Sequence, residues 1–195
     1  QERIIKKPTR LIALTGLFLV LLTMAKVGAF SEKWIWLATG SAVTSAIILT
    51  IAYNQRFAIG MTLFYCLLAC FAVGKIADVG LFLTMMAGVV TCCFSLKEIR
   101  TRMKLIEVST LASVTVFITA AALGFIQGST IGNIFYTSGS AAAITVAVGL
   151  VLQGFLPLIE KVFGIATSMT LMDYSDANQP LLKKLAMEAP GTFSH

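Results

Sequence analysis

Charged side chains are scarce in this sequence of 195 residues. Asp, Glu, Lys and Arg together make up 12% of the chain, hydrophobic residues make up 57%, and the mean hydropathy is +0.89. A soluble domain usually has about 25% charged residues, which keep its surface solvated. The shortage of charge therefore excludes an ordinary soluble domain and predicts an integral membrane protein.

Ionisable residues are also missing from the centres of the hydrophobic runs. No side chain between Ile134 and Ile159 carries a charge, and the whole chain has a single histidine. Proton-coupled and ion-coupled transporters usually need an intramembrane acid or histidine as a relay. The sequence also lacks a nucleophile triad, a phosphate-binding loop and a pair of catalytic carboxylates. These absences argue against a coupled transporter and against an enzyme site within the runs.

Cysteine is present, but without the neighbours that metal binding requires. The four cysteines, Cys66, Cys70, Cys92 and Cys93, all lie inside hydrophobic runs, and no histidine lies near them in the sequence. A structural metal site needs further ligands at short spacing to complete its shell. We therefore expect buried free thiols rather than metal ligands or disulfides.

Six hydrophobic runs are candidates for membrane spans. About 20 apolar residues suffice to cross a hydrocarbon core of about 30 Å. The runs lie at residues 11–30, 34–53, 57–74, 79–96, 105–126 and 138–159, with an uncharged connection at 127–138 before the last one. Short connections predict that consecutive helices are antiparallel neighbours. The predicted fold class is an all-α integral membrane protein, a bundle of six transmembrane helices with a short cytoplasmic amphipathic tail.

Several residues within the runs are expected to serve structure. Lys26, near the end of the first run, is expected to extend toward lipid headgroups. Glu107 is expected to pair with Lys104 or Arg100. Pro157 removes a backbone donor and is interpreted as the point of membrane exit. Small residues at four-residue spacing, which allow helices to approach closely in lipid, are Ser41 with Ser45, and Gly139 with Ala143 and Ala147.

The positive charges predict the orientation. If residues 1–10 face the cytoplasm, the cytoplasmic segments hold twelve Lys and Arg residues and the outer segments hold three. Positively charged loops are retained in the cytoplasm. We therefore expect both ends of this segment to be cytoplasmic.

The end of the chain carries a series of specific motifs. They are Leu156-Pro157-Leu158-Ile159-Glu160-Lys161-Val162-Phe163-Gly164-Ile165, then Ser175-Asp176, Pro180-Leu181-Leu182 and Glu188-Ala189-Pro190-Gly191-Thr192-Phe193, with His195. This series resembles the junction of the seven-transmembrane HD receptor family. In that family a membrane domain of seven helices follows an extracellular sensor domain and leads into a cytoplasmic HD-type phosphohydrolase.

The resemblance implies a domain organisation. Residues 1–164 would be a polytopic membrane domain, helices two to seven of seven, and residues 165–195 a cytoplasmic linker with the first residues of a truncated HD domain. The implied function is membrane anchoring and signal transmission in a receptor that hydrolyses a cyclic dinucleotide, cyclic di-AMP in particular. The implied partners are the lipid bilayer, the upstream sensor, the downstream HD domain, the cyclic dinucleotide and a second copy of the chain. The alternative is a stand-alone small polytopic transporter or channel.

The resemblance also implies a metal pair, of iron or manganese, in the full-length HD domain. His195 is the candidate metal ligand of this chain, and the family's remaining His and Asp ligands would follow it. The chain departs from the family at Gln179, where the family commonly has His, and at Ser194, where it has a second adjacent His. One imidazole cannot form a catalytic metal shell, so no catalytic or cofactor-binding residue is expected in this segment. The competing interpretation of His195 is an exposed residue without a ligand role.

Overall fold

Six α-helices form the described part of the protein. The structure is a computed structural model and describes residues 8–30, 34–74, 77–96 and 102–163. The helices are α1 (Pro8–Gly28), α2 (Leu37–Ala52), α3 (Gln55–Val73), α4 (Val79–Ser95), α5 (Arg102–Ile126) and α6 (Ile131–Phe163). No strand occurs within those ranges. The predicted all-α membrane fold is confirmed.

Four of the six helices, α1, α3, α5 and α6, are long and apolar enough to cross a membrane by themselves. Only 28–33% of the residues in their spanning windows are buried inside the protein. Large apolar side chains therefore cover the outside of the bundle, as Phe71 and Ile126 show with more than 80% of their surface exposed. An apolar surface of this extent is stable against lipid and not against water.

Helix α2 lies at the centre of the bundle. It packs against α1, α3, α4 and α6, and eleven of its 16 residues are buried. Its length of about 24 Å is less than the hydrocarbon thickness of about 30 Å. A helix this short is acceptable at the centre of the bundle because its neighbours shield it from lipid. The Gly, Ala and Ser residues of α2 give those neighbours room to approach.

Close approach is visible where glycines face a neighbouring helix. A Cβ atom placed on Gly40 of α2 would lie 2.6 Å from Ile144 of α6. A Cβ placed on Gly88 of α4 would lie 2.9 Å from Val43 and 3.0 Å from Val116. The Gly40 contact joins α2 to α6, and the Gly88 contacts join α4 to α2 and α5; both approaches require glycine.

A buried tyrosine joins the first three helices. The hydroxyl of Tyr65 donates a hydrogen bond to Oγ of Ser41 at 2.8 Å, and its ring lies 5.3 Å from the ring of Phe18. Ser41 in turn donates to the carbonyl of Ala38. Ser41 and Ser45 are both buried, so the prediction that this pair serves helix packing is confirmed.

The second predicted packing stripe is wrong. Ala143 and Ala147 are exposed, and a Cβ on Gly139 would meet no atom within 4 Å. The face of α6 that packs is one or two positions away, with Ser138, Ala141 and Thr145 buried. The hydroxyls of Ser138 and Thr145 donate to carbonyls of the same helix, as in the 2.6 Å bond from Ser138 to Ile134, which makes them compatible with an apolar interface.

The connection before α6 is also shorter than predicted, since α6 begins at Ile131 rather than after 138. Gly128 adopts a left-handed conformation with φ of 67°, and the amide of Ser129 donates to the carbonyl of Gly124. This glycine-based cap ends α5 within two residues. Helix α6 then runs without interruption past Pro157 to Phe163.

Candidate functional site

The charged residues that the structure describes lie near the ends of the helices. We call the end with the α1–α2, α3–α4 and α5–α6 connections the distal end, and the other end, which includes Pro8 and Phe163, the proximal end. The contacts of Lys26 with Ala72 and of Gln127 with Asp78 bring these three connections to the same end, so consecutive helices alternate in direction. The two ends therefore differ in chemistry and in what they can bind.

At the distal end, Asp78 caps helix α4. Its Oδ1 accepts a hydrogen bond from the amide of Leu81 at 2.7 Å, as an N-terminal cap does. Its Oδ2 accepts a second bond, of 2.9 Å, from Nε2 of Gln127. The connection between α5 and α6 is thereby attached to the start of α4.

Lys26 makes a second distal contact. Its Nζ donates a 2.8 Å hydrogen bond to the carbonyl of Ala72, in the last turn of α3. The C-terminal end of a helix carries a partial negative charge and orphan carbonyls, so an ammonium group is favourable there. Lys26 therefore has a structural role, and its ammonium binds the end of a neighbouring helix instead of extending toward headgroups.

A cavity of about 200 Å³ opens between these connections. Its walls come from the starts of α2, α4 and α6 and from the end of α5. The polar and aromatic side chains that line it include Trp36, Asp78, Thr84, Gln127, Asn133 and Thr137. We call it the distal cavity. The sequence reveals Asp78 as a helix cap by its position before a hydrophobic run, but not the cavity, because its walls are up to 100 positions apart along the chain.

At the proximal end, Lys104 and Glu107 form an ion pair. The Nζ–Oε1 distance is 3.0 Å, and both side chains are well exposed. The prediction that Glu107 pairs with Lys104 is confirmed. An exposed pair of this kind contributes little to stability, and its role is to hold the two charges together beside the apolar start of α5.

Helix α6 connects the two ends. Asn133 and Thr137, near its start, line the distal cavity, and Phe163 ends it on the proximal side. Its 33 residues give it a length of about 50 Å, against about 30 Å for the hydrocarbon core. Along most of that length it packs on α5 and on the central α2. A displacement at one end of α6 can therefore be transmitted along the helix to its other end.

The cysteines are free, as predicted. Cys66, Cys92 and Cys93 are buried and Cys70 is half-buried. Cys93 accepts a hydrogen bond from Thr50 at 3.5 Å. These thiols fill space between α2, α3 and α4.

The described residues do not fit a metal pair. Within those ranges no three His, Cys, Asp or Glu side chains come together at a distance that could hold an ion. His195, the one candidate ligand in the sequence, lies outside the described residues, as do the tail motifs from Ile165 onward. No catalytic step can be assigned to the side chains that the structure describes.

An apolar exterior, a buried central helix and charged residues near the helix ends in the part that the structure describes define a membrane domain in which a continuous helix links both sides. Comparison with known proteins gives the class. The model of the family described as "7TM receptor with intracellular HD hydrolase" matches residues 1–167. The chain belongs to this family, as the tail motifs predicted.

Individual relatives match over shorter stretches. The cyclic-di-AMP phosphodiesterase PgpH of Listeria monocytogenes is 48% identical over 42 residues, which is 22% of this chain and 6% of the relative. PgpH of Bacillus subtilis is 41% identical over 49 residues, 25% of this chain and 7% of the relative. An uncharacterised Synechocystis protein is 36% identical over 74 residues, 36% of this chain and 9% of the relative.

The matched stretches thus span less than a tenth of the length of these relatives. No solved structure matches the chain.

Proposed function

We propose that this chain is the membrane-anchoring and signal-transmitting domain of a receptor whose cytoplasmic HD domain hydrolyses a cyclic dinucleotide, cyclic di-AMP. The observation that carries the proposal is the family match over residues 1–167, together with the identity to two proteins named as cyclic-di-AMP phosphodiesterases. The single continuous helix α6 supports a role in transmission, since it ends where the family's enzymatic domain follows.

The domain organisation is part of the proposal. Residues 1–164 are assigned to helices two to seven of a seven-helix membrane domain, and residues 165–195 to the linker and the start of the HD domain. The partners in the full-length protein are the lipid bilayer, an extracellular sensor domain upstream, the HD domain downstream, the cyclic dinucleotide and a second copy of the chain. The stripe of half-buried Gly139 and exposed Ala143 and Ala147 is the face of α6 available to a second copy.

The proposed orientation places the proximal end in the cytoplasm of a bacterial cell, at the inner membrane. The support is the split of twelve to three in Lys and Arg between the two sides. Positive charge in short connections near the spans determines orientation. The distal cavity would then face the outside of the cell.

His195 is proposed as one ligand of the divalent metal pair, iron or manganese, of the full-length protein. A neutral imidazole nitrogen is a common ligand for such metals. The other His and Asp ligands are proposed to follow His195 in the full-length protein, as the family resemblance implies.

The experiment that tests the proposal measures metal content and cyclic di-AMP hydrolysis by the full-length protein in lipid. The unmodified protein should convert cyclic di-AMP to the linear dinucleotide in the presence of manganese. His195→Ala should lower both bound metal and turnover while membrane insertion is unchanged. Glu107→Gln, at the membrane surface, is the control and should leave both values unchanged. Absence of turnover in the unmodified protein would contradict the proposed activity. Full turnover in His195→Ala would contradict the assignment of His195 as a metal ligand.

A further inference from the structure

The distal cavity has a carboxylate in its wall. Asp78 is the one ionisable side chain among the described residues that line it, and its carboxylate is exposed. The ammonium group of Lys26, the other charged distal side chain that the structure describes, donates its hydrogen bond to the carbonyl of Ala72 and not to Asp78. Among the described side chains, a ligand in this cavity therefore meets the negative charge of Asp78.

The Asp78 carboxylate retains acceptor capacity. Each carboxylate oxygen has two acceptor positions, and each accepts one bond from the protein, Oδ1 from Leu81 and Oδ2 from Gln127. One position on each oxygen is left for a ligand. The two existing bonds fix the orientation of the group, so a ligand that binds it does not have to order it first.

An aromatic side chain lines the same cavity as this carboxylate. Trp36, at the cap position before α2, is half-buried there. The face of a tryptophan ring attracts cations, including quaternary ammonium groups.

We propose that the distal cavity binds a small organic cation with a single ammonium group, which the Asp78 carboxylate neutralises and the Trp36 ring faces. A volume of about 200 Å³ lies below the range of about 300–1,000 Å³ for drug-sized ligands, so the ligand is small. A single carboxylate matches one positive charge, whereas Ca²⁺ and Mg²⁺ sites combine several oxygen ligands, usually with more than one carboxylate. The described residues of the lining include no basic group, which disfavours an anion.

The site is built on the first turns of α6. Asn133 and Thr137 line the cavity, and α6 continues from them to the proximal end. Occupation of the cavity therefore acts directly on the helix that leaves the membrane toward the C-terminal side. An ammonium group could come from a free solute or from the headgroup of phosphatidylethanolamine, and the chemistry of recognition is the same.

The test uses radiolabelled choline and the full-length protein in nanodiscs made only of phosphatidylglycerol. We expect saturable binding of the labelled choline. Excess unlabelled choline should displace it, and 3,3-dimethyl-1-butanol, the uncharged isostere of choline, should not. Asp78→Asn should weaken binding about tenfold because it removes the charge. Asn is also a good helix cap, so this variant keeps the bond to Leu81. Trp36→Leu should weaken binding independently, and Glu107→Gln at the proximal end should not change it.

Equal displacement by the uncharged isostere, or unchanged choline affinity in both Asp78→Asn and Trp36→Leu, would overturn the proposal. Absence of saturable binding, or displacement of choline by calcium at lower concentration than by choline itself, would overturn it as well. Nanodiscs that contain phosphatidylethanolamine distinguish the two sources. A lower apparent affinity for choline in them supports the site and identifies the lipid headgroup as its occupant, and an unchanged affinity supports the site with a free solute as its ligand.

Discussion

The amide of Gln127 donates a 2.9 Å hydrogen bond to the carboxylate of Asp78, 49 positions earlier in the chain. This contact fastens the connection between α5 and α6 to the start of α4. Replacement of Gln127 by Leu removes only this bond and should lower the free energy of unfolding by about 0.5–1 kcal/mol.

Asp78→Ala removes the helix cap as well, so its cost should be larger, about 1–2 kcal/mol. Thermal unfolding of both variants and of the double variant in the same detergent measures the coupling. A double variant whose loss equals the sum of the two single losses would show that the two side chains do not interact.

Gly149 lies where α6 meets α5. A Cβ atom there would collide with the side chain of Ser109, so Gly149→Ala should force the two helices apart and destabilise the protein by about 1–3 kcal/mol. Gly139→Ala is the matched control on the same helix, because a Cβ at Gly139 meets nothing within 4 Å.

Both substitutions gain the same helix propensity, about 1 kcal/mol. The difference between their unfolding midpoints therefore reports the packing alone. Equal midpoints for Gly149→Ala and Gly139→Ala would contradict the described contact of α5 with α6.

Lys26 should stabilise the end of α3 through its bond to the carbonyl of Ala72. Lys26→Met keeps the aliphatic stem and removes the charge, and we expect a loss of about 0.5–1 kcal/mol. Lys26→Arg retains a charged donor and should lose less. If the Met variant unfolds at the same temperature as the Arg variant and the unmodified protein, the bond has no energetic role.

Accessibility to a membrane-impermeant thiol reagent tests the orientation. A cysteine at Gly132, exposed at the start of α6, should react from outside intact cells. A cysteine at Thr101 should react only after the cells are opened. The unsubstituted chain is the control, since three of its four cysteines are buried and one is half-buried. The reverse pattern of labelling would contradict the proposed topology.

The sequence was sufficient to predict the helices and the family, because both depend on local signals. Hydrophobic runs of spanning length are a property of consecutive residues, and the tail motifs are a short linear pattern. Pro157 lies inside α6 and does not interrupt it, so the last hydrophobic run forms one helix.

Relations between helices could not be predicted in the same way. The exposed Ala143 and Ala147 have the same spacing as the buried Ser41 and Ser45. Lipid is as apolar as a helix surface, so composition does not reveal which face is covered. The start of α6 was placed too late because Asn133 and Thr137 look like loop residues. In the structure Thr137 donates a hydrogen bond back to the carbonyl of Asn133, which lets a polar turn remain helical.

The central position of α2 was likewise not apparent from the sequence. Its run of Ala, Gly, Ser and Thr has no stronger hydrophobic pattern than its neighbours, and only the contacts with four other helices identify it as the core. The distal cavity depends on this arrangement, since α2 contributes Trp36 to it.

Under the proposed function, this domain transmits a signal to the HD domain through α6. The charge-free interior of α6 leaves a mechanical shift or tilt as the means of transmission. A helix longer than the membrane is thick responds to bilayer thickness by tilting. A change in bilayer thickness can therefore be used as the stimulus, in place of the sensor's ligand, in an experiment on the full-length protein.

The decisive measurement is the rate of cyclic di-AMP hydrolysis by the full-length protein in thin and thick nanodiscs, with and without a flexible Gly-Ser stretch inserted after Gly164. We expect the rate to depend on thickness in the unmodified protein and in a control with a rigid helical insertion of the same length. The flexible insertion should leave basal hydrolysis largely intact and abolish the dependence on thickness. A flexible variant that responds as fully as the unmodified protein would show that this junction is only a tether and would contradict the claim.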